Sequence, residues 1–301
     1  MQTGVPMDRA RVGFLAFNAE LDTFATALID AVLRAGEARG MQVTLVDGGG
    51  DSDTQLAAVR GFVADGVDAI LLYPGDPSTL VPAVREAAER GIPVFTVNLD
   101  LEDSAPVAAY IGSDDMDYGR KQGHLLVRAI GETGNVALLT GESGTSAQIA
   151  RTAGLNEVLG GHPGIRVVAE HEDDWTDATA LAIVQGWLAE FPAGSLGAIL
   201  AEGPEVAPAA RWAREHGRDD IVFVAGDYTS DVREAILEGA VYGTVVQHPS
   251  EQGERAVEVV ADVLAGSAAG SSAGGAGRVR VLTDLPVVTR DNAAGVPAAY
   301  A

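Results

Sequence analysis

Short apolar runs alternate with helix-length amphipathic segments along most of this 301-residue chain. Residues 11–17 form a strand-like run, RVGFLAF, and in residues 24–39 the apolar side chains recur at helical spacing. The same unit repeats in residues 43–66 and 69–91. Because each strand is followed by a segment long enough to be a crossover helix, the alternation predicts βαβ units, a parallel sheet and helices on both of its faces.

The rhythm restarts at residue 135 and continues to residue 266. Two halves with the same period, in a chain twice as long as a typical domain of roughly 150 residues, predict two doubly wound α/β lobes. Residues 266–277, GSAAGSSAGGAG, predict a flexible surface loop. Residues 278–292 return to a strand-like pattern, and the last residues are predicted to be frayed.

Nearly every apolar run is followed by a polar or aromatic residue. In an open parallel sheet, the carboxyl ends of the strands face the ligand crevice. The residues at these ends are Glu20, Tyr73, Asn98, Ser113, Glu142, Trp175, Glu202, Asp227 and Gln247. The pattern therefore predicts one ligand site that draws its residues from distant parts of the sequence and from both lobes.

Charge and composition exclude several classes of partner. The 43 acidic and 20 basic residues give a net charge of -23, which repels nucleic-acid backbones and anionic lipid. The chain has no cysteine, so disulfides and thiolate chemistry are excluded. No stretch approaches the roughly 20 apolar residues of a membrane span. No signal peptide is visible at the start, which is typical of a cytoplasmic protein or of a trimmed mature form.

Motifs for catalysis or metal binding are incomplete. The five histidines lack H-E-x-x-H spacing, and residues 141–145, GESGT, do not complete G-x-S-x-G. Residues 50–54, GDSDT, lack the remaining ligands of a calcium loop, and the glycines at 48–50 complete no phosphate-binding motif. The sequence therefore predicts no catalytic residue, no metal, no cofactor and no enzymatic activity.

Five segments, taken in order and spacing, resemble the ribose-type periplasmic sugar-binding proteins, which are ABC transporter solute-binding proteins. Their periplasmic binding protein type I fold is shared with the effector domains of the lactose-repressor class. The segments are residues 59–98, 110–130, 140–155, 224–260 and 287–292. The resemblance covers the chain from Arg11 to about Asn292.

The resemblance implies two lobes joined by a three-segment hinge. The crossings are expected near Gly112–Asp114, Val246–His248 and Leu282–Leu285. The N-terminal lobe then comprises residues 1–112 plus 248–283, and the C-terminal lobe comprises residues 113–247 plus 284–301.

Carried over position by position, the resemblance also implies the ligand-binding residues. They are Glu20, Thr23, Phe24, Tyr73 and Asn98 in the first lobe, Arg151, Trp175, Glu202 and Asp227 in the second, and Ser113 and Gln247 in the crossings. Phe24 and Trp175 would be the faces of an aromatic sandwich, and Asn98 and Asp227 would hold hydroxyls.

The chain departs from the ribose pattern at three positions. Two arginines that clamp hydroxyls in the relatives align with Leu99 and Ile149, and an expected asparagine aligns with Gly203. Arg151, further along the same predicted helix as Ile149, is the expected substitute. The loss of the arginines argues against ribose itself. The carboxylates that remain disfavour an anionic ligand and leave a different pentose, a polyol or an amine-bearing ligand open.

Several of these residues have a structural alternative. Trp175 is compatible with surface packing, Phe24 with a place in the core, and Asp227 with capping of the following helix. Glu20, Tyr73 and Glu202 remain open between the two roles. The acidic run at residues 113–119 predicts a helix N-terminus, where carboxylates complement the dipole.

The predicted function is that of a solute-binding protein that captures a small neutral sugar or polyol between its lobes. A ligand that touches both lobes favours the closed state, which predicts hinge closure. The resemblance implies a monomer that delivers its ligand to the membrane permease of an ABC importer, in the periplasm or lipid-anchored at the cell surface. The alternative is a ligand-sensing effector domain of a sugar-responsive regulator or receptor.

Overall fold

The computed structural model describes residues 10–20, 22–266 and 278–301. It forms two compact units, of which the first comprises Met1–Ser113 and His248–Thr283 and the second comprises Asp114–Gln247 and Asp284–Ala301. The chain therefore passes from one unit to the other three times. The flexible loop predicted at residues 266–277 lies, from residue 267 onward, outside the described residues.

Ser113 belongs to the first unit, whereas the sequence placed it at the start of the second lobe. Its carbonyl accepts a hydrogen bond from the Tyr110 hydroxyl at 2.8 Å, and its Oγ accepts one from Gln252 Nε2 at 3.0 Å. Both partners lie in the first unit, and the unit therefore ends one residue later than the expected lobe boundary.

The first unit is a six-stranded, entirely parallel sheet in the order β11-β5-β4-β3-β1-β2. With elements numbered in chain order, its members are β1 (Arg11–Ala16), α1 (Thr23–Ala38), β2 (Gln42–Asp47), α2 (Ser52–Asp65), β3 (Ala69–Tyr73), α3 (Val81–Glu89), β4 (Val94–Val97), β5 (Ala109–Gly112), α9 (Pro249–Leu264) and β11 (Val279–Leu282). Helix α1 packs against α9, and α2 packs against α3. All five residues of β3 are buried, as expected of a central parallel strand covered on both faces.

The second unit has a six-stranded sheet in the order β12-β10-β9-β8-β6-β7. Its members are α4 (Asp115–Ile130), β6 (Thr133–Thr140), α5 (Ser146–Gly160), β7 (Gly164–Glu172), α6 (Asp177–Glu190), β8 (Ala198–Ala201), α7 (Val206–Glu215), β9 (Val222–Gly226), α8 (Ser230–Glu238), β10 (Gly243–Val245), β12 (Val287–Thr289) and a 3-10 turn (Ala293–Gly295). Val136 and Leu138 of β6 join one apolar core, whereas Ala137 and Leu139 join another. Because successive strand residues point to opposite faces, both faces of this sheet are covered.

The predicted fold of two doubly wound α/β units is confirmed, with two local differences. Strand β12 runs antiparallel to β10, whereas an entirely parallel sheet was predicted. The final residues are not frayed, since Ala299 N–H donates to the Tyr228 carbonyl at 2.8 Å.

Across the described residues, no helix combines the length and the apolar character needed to cross a membrane.

Candidate functional site

Each sheet reverses its strand order once, and that point defines where a ligand site is expected. In the first unit the chain runs from β1 to β2 at the edge and then to β3 on the other side of β1. In the second unit β6 stands in the same relation to β7 and β8. Ligands of open α/β sheets bind at the carboxyl ends of the strands that flank such a reversal. Each unit therefore carries one candidate face.

The first-unit face begins with two aromatic residues at the ends of β1 and β3. The rings of Phe17 and Tyr73 meet edge to face with centroids 5.0 Å apart, and the Phe17 N–H donates to the Tyr73 carbonyl at 2.9 Å. Both side chains are buried. Phe24 is buried in the first turn of α1, and Glu20 and Thr23 are exposed. The aromatic-sandwich role of Phe24 stays a prediction.

A chain of amides and a hydroxyl continues this face. Asn98, directly after β4, has a left-handed backbone with φ 60° and donates from Nδ2 to Gln252 Oε1 at 3.0 Å. Gln252 in turn donates to Ser113 Oγ at 3.0 Å. Gln252 comes from α9, more than 150 residues away in sequence, so it fixes two of the predicted ligand-binding residues through a contact that strand ends alone do not indicate.

On the second-unit face, Asp227 accepts three hydrogen bonds. Tyr118 and Gln247 donate to its Oδ1 at 3.1 and 3.0 Å, and Tyr300 donates to its Oδ2 at 3.0 Å. Its backbone is left-handed, with φ 52°. Helix α8 is capped by Thr229, not by Asp227, so the capping alternative is excluded. Asp227 is the centre of a buried hydrogen-bond network at the end of β9.

Arg151 lies at the core of the same face and is 4% exposed. Its Nε donates to Asp115 Oδ1 at 3.0 Å, its guanidinium donates to the Glu202 carbonyl at 3.0 Å, and its Cζ lies 4.0 Å from the centroid of the Tyr118 ring. Helices α4 and α5 touch closely here, because a Cβ on Gly119 would lie 2.0 Å from the Arg151 carbonyl oxygen. The guanidinium of Arg151 is held by Asp115, the Glu202 carbonyl and the Tyr118 ring, and its contact with a ligand stays a prediction.

Glu202, after β8, is a buried carboxyl with an altered acidity. Its Oε1 accepts from the Thr152 hydroxyl at 2.6 Å, and its Oε2 accepts from the Gly141 N–H at 3.2 Å. Burial raises the pKa of Glu202 to about 7, although the Thr152 hydrogen bond and the nearby Arg151 charge oppose this rise. Both protonation states of Glu202 are therefore populated near neutral pH.

Trp175 lies over the carboxyl end of β6. It is partly exposed, and its backbone is left-handed with φ 56°, which is a rare conformation for a bulky residue. Its indole packs on Gly141, where a built Cβ would lie 1.8 Å from the Trp175 Cζ2 atom. Trp175 therefore packs closely on the strand end at the strand-order reversal, and its ligand-facing role stays a prediction.

Gly141→Ala is expected to lower the free energy of unfolding by about 1–3 kcal/mol, because the new methyl group must displace the Trp175 ring. Urea unfolding measures the change. Gly186→Ala is the matched control, since among the described residues a Cβ there would meet no atom within 4 Å beyond its chain neighbours and its own helix backbone, and alanine favours the helix by up to about 1 kcal/mol. Wild-type stability of Gly141→Ala would contradict the contact.

The structure adds residues to the candidate site that the sequence did not indicate. They are Phe17, Asp115, Tyr118, Asp173, Gln252 and Tyr300. Asp115 and Tyr118 belong to the acidic run that was explained as a helix N-terminus. Asp114 does cap α4, yet Asp115 also pairs with an arginine of α5. Because a helix N-terminus alone accounts for an acidic run, the sequence did not indicate that Asp115 also forms an ion pair.

Comparison with known proteins gives one family model, described as a periplasmic binding protein domain, that matches residues 12–268. The chain is 27% identical over 247 residues to a xylitol-binding protein of Mycolicibacterium smegmatis, an alignment that covers 82% of this chain and 70% of that one. It is 28% identical over 239 residues to the ribose import binding protein of Bacillus subtilis, with 79% and 77% covered.

Among solved structures, the chain is similar to an ABC transporter solute-binding protein from Bacillus halodurans with bound myo-inositol. The TM-score is 0.85 and the identity is 26%, with 95% of this chain and 96% of the other covered.

Proposed function

The chain belongs to the family of periplasmic binding protein domains, and from this premise we propose that it is the solute-binding protein of an ABC importer for a small neutral sugar or polyol. The proposal is supported by what similar proteins are named for: xylitol, ribose and a bound myo-inositol. All three ligands are uncharged and carry several hydroxyl groups.

The second-unit face carries the proposal, because it combines an aromatic ring with oxygen acceptors. The Trp175 indole offers a flat surface to the C–H face of a sugar or polyol. The Asp227 carboxylate already accepts three hydrogen bonds, and of its roughly four acceptor sites about one is left for a ligand hydroxyl. Hydrogen bonds to a charged acceptor are stronger than those between neutral groups. A ligand with several hydroxyls therefore suits this face.

The charge on this face argues against an anion. Arg151 is paired with Asp115, while Glu202 and Asp227 lie on the same face. An anionic ligand would meet carboxylates and an arginine already engaged by the protein, and burying an unpaired charge is costly. An amine-bearing ligand remains the competing class.

We further propose that the protein works outside the cytoplasm, in the periplasm or lipid-anchored at the cell surface. In this proposal a monomer delivers its ligand to a membrane permease and releases it chemically unchanged. The names of similar proteins support this placement. Light scattering after gel filtration tests for the monomer, and NMR of the ligand recovered after long incubation tests for the absence of turnover.

A thermal-shift screen over pentoses, hexoses, polyols, amino sugars and nucleosides tests the ligand class. At 100 times Kd, a ligand that binds only the folded state adds about 2.7 kcal/mol to the free energy of unfolding. We expect neutral sugars or polyols to give the largest shifts. If amine-bearing compounds alone stabilise the protein, the neutral-ligand proposal is wrong.

Trp175→Ala is expected to weaken binding of the best screened ligand at least tenfold, since it removes the aromatic surface of the face. Isothermal titration calorimetry measures the affinity. Trp212→Ala is the matched control, because Trp212 of α7 stacks on His216, the C-cap residue of that helix, with ring centroids 4.1 Å apart. Equal losses of affinity in the two variants would mean that Trp175 acts only through stability.

The expectation that one ligand contacts both units also stays a prediction. Asn98→Ala in the first unit and Trp175→Ala in the second test it together. If only one variant weakens binding, the ligand is held by a single unit.

A further inference from the structure

Asp173 is the most deeply buried acidic side chain beside Trp175, with 1% of its surface exposed. It follows β7, and its backbone N–H donates to the carbonyl of Thr140 at the end of β6 at 3.0 Å. Its Oδ1 accepts from the Trp175 N–H at 3.1 Å. Its Oδ2 is buried and has no hydrogen-bond partner among the described residues. An acid in this position costs stability, so a compensating role is expected.

That role is visible in the backbone of the next two residues. Asp174 and Trp175 are both left-handed, with φ 53° and 56°, and neither is glycine. Such a turn persists only where neighbouring contacts hold it. Three contacts hold it: the hydrogen bond from the Trp175 N–H to Asp173 Oδ1, the hydrogen bond from the Thr176 N–H to the Asp173 carbonyl at 3.0 Å, and the contact of the indole with Gly141.

The charged groups around Asp173 lie at the end of β8, in its own turn, and on helices α5 and α4. Glu202 faces it from the end of β8, and Asp174 adjoins it in the same turn. On the far side of Glu202 lie Arg151 of α5 and Asp115 of α4. Burial raises the pKa of Asp173 to about 7, opposed by the Trp175 N–H and reinforced by the charge of Glu202. Both residues are bound to the same end of β6, because the Gly141 N–H donates to Glu202 Oε2 at 3.2 Å and the Asp173 N–H donates to the carbonyl of the preceding residue, Thr140, at 3.0 Å. Asp173 and Glu202 are therefore two buried carboxyls at one strand end.

We propose that Asp173 is a positioning residue for ligand recognition, which holds Trp175 in its ligand-facing conformation and, through its pairing with Glu202, makes affinity depend on pH. The ligand half of this inference rests on the proposed function. When both carboxyls are ionised they repel each other, and the turn that presents Trp175 loosens. When the pair holds a proton, the repulsion is relieved and the turn stays in place.

The first test reads Trp175 without any ligand. In a Trp187→Phe, Trp212→Phe background, Trp175 is the remaining tryptophan of the chain. Asp173→Leu should shift its emission to longer wavelength and increase its quenching by acrylamide, because the acceptor for its N–H is lost. Asp173→Asn keeps an acceptor oxygen and should retain the wild-type emission at pH 6. Wild-type emission and quenching in Asp173→Leu would overturn the positioning role.

The second test measures affinity between pH 6 and 8.5, using the best ligand from the screen. Wild-type affinity should fall about tenfold as the pair ionises, which corresponds to a difference of about one pKa unit between the free and bound forms. Asp173→Asn should bind like wild type at pH 6 and lose most of this dependence. Asp173→Leu should bind at least tenfold more weakly at pH 6. A wild-type pH slope in Asp173→Asn would overturn the pH linkage.

Stability offers a check that needs neither ligand nor fluorescence. The pKa of Asp173 is raised to about 7 in the folded state, from about 4 in the unfolded chain. Its contribution to stability is therefore fully present below pH 4 and is lost as the pH rises through 7. Asp173→Asn should therefore raise the melting temperature relative to wild type at pH 8.5 more than at pH 5. If no screened compound binds, the proposed function fails, while the emission and stability tests still decide whether Asp173 positions Trp175.

Discussion

Asp227→Ala is expected to lower the free energy of unfolding by about 4 kcal/mol and to abolish ligand binding. The variant removes the acceptor of hydrogen bonds from Tyr118, Gln247 and Tyr300, which are all buried. Removing a hydrogen-bond acceptor from a buried donor costs about 1–3 kcal/mol, and the total stays below the sum because the Tyr118 hydroxyl keeps the Glu202 carbonyl as a second acceptor at 3.2 Å. Alanine also lacks the local hydrogen bonding that lets aspartate adopt a left-handed backbone at φ 52°. Urea unfolding measures the loss.

Two control variants are compared with Asp227→Ala. Asp227→Asn keeps one acceptor oxygen and tolerates the left-handed backbone, so we expect a loss of about 1–2 kcal/mol. Asp219→Ala removes an exposed aspartate of the same unit, 3.5 Å from Arg214, and should change stability by less than about 0.5 kcal/mol. If Asp227→Ala is as stable as Asp219→Ala, the carboxylate is not the centre of the network and serves the ligand alone.

Arg151→Met is expected to cost about 4 kcal/mol, because it leaves the Asp115 carboxylate buried without its partner. Breaking a buried ion pair by removing one member typically costs 3–5 kcal/mol. The pKa of Arg151 supports a charged side chain, since burial lowers it but Tyr118, Asp115 and other neighbouring acids raise it above its usual value. Thermal and urea unfolding measure the loss.

The same pair of helices provides the control. Arg120 of α4 and Glu157 of α5 form an ion pair of 2.8 Å whose side chains are 36% and 55% exposed. Because solvent screens such pairs, Arg120→Met should cost less than about 1 kcal/mol. The double variant Arg151→Met, Asp115→Asn should recover part of the loss, since no unpaired charge then remains. Equal losses for Arg120→Met and Arg151→Met would indicate that burial of the pair is unimportant.

The fold was largely predictable because its signal is periodic. The alternation of apolar runs and amphipathic segments indicates where strands and helices occur, and short crossovers leave little choice but a parallel sheet. Strand β12 was the exception. Its three residues, Val287–Thr289, are as compatible with a parallel as with an antiparallel neighbour, and the pairing with β10 is set by the path of the chain.

The candidate site was predictable where it lies at strand ends. Tyr73 ends β3, Asn98 follows β4 and Asp227 follows β9, as the sequence indicates. Tyr118 and Tyr300 come from the first turn of a helix and from the segment after the 3-10 turn, where no periodic pattern marks them. Their hydrogen bonds to Asp227 span 109 and 73 residues, and such contacts follow from tertiary structure alone.

The pairing of α1 with α9 constrains the order in which the chain acquires structure. Arg39 and Glu258 are 219 residues apart in sequence and form an ion pair of 3.1 Å, and Gly253 lies so close to the Leu28 carbonyl that a Cβ would be 2.6 Å away. Contacts between such distant segments must overcome loop-closure entropy before they stabilise anything, and they slow folding. The first unit therefore stays incomplete until α9 and β11 have been synthesised. In a nascent chain that has reached only α8, the face of α1 that later packs against α9 is still exposed to water.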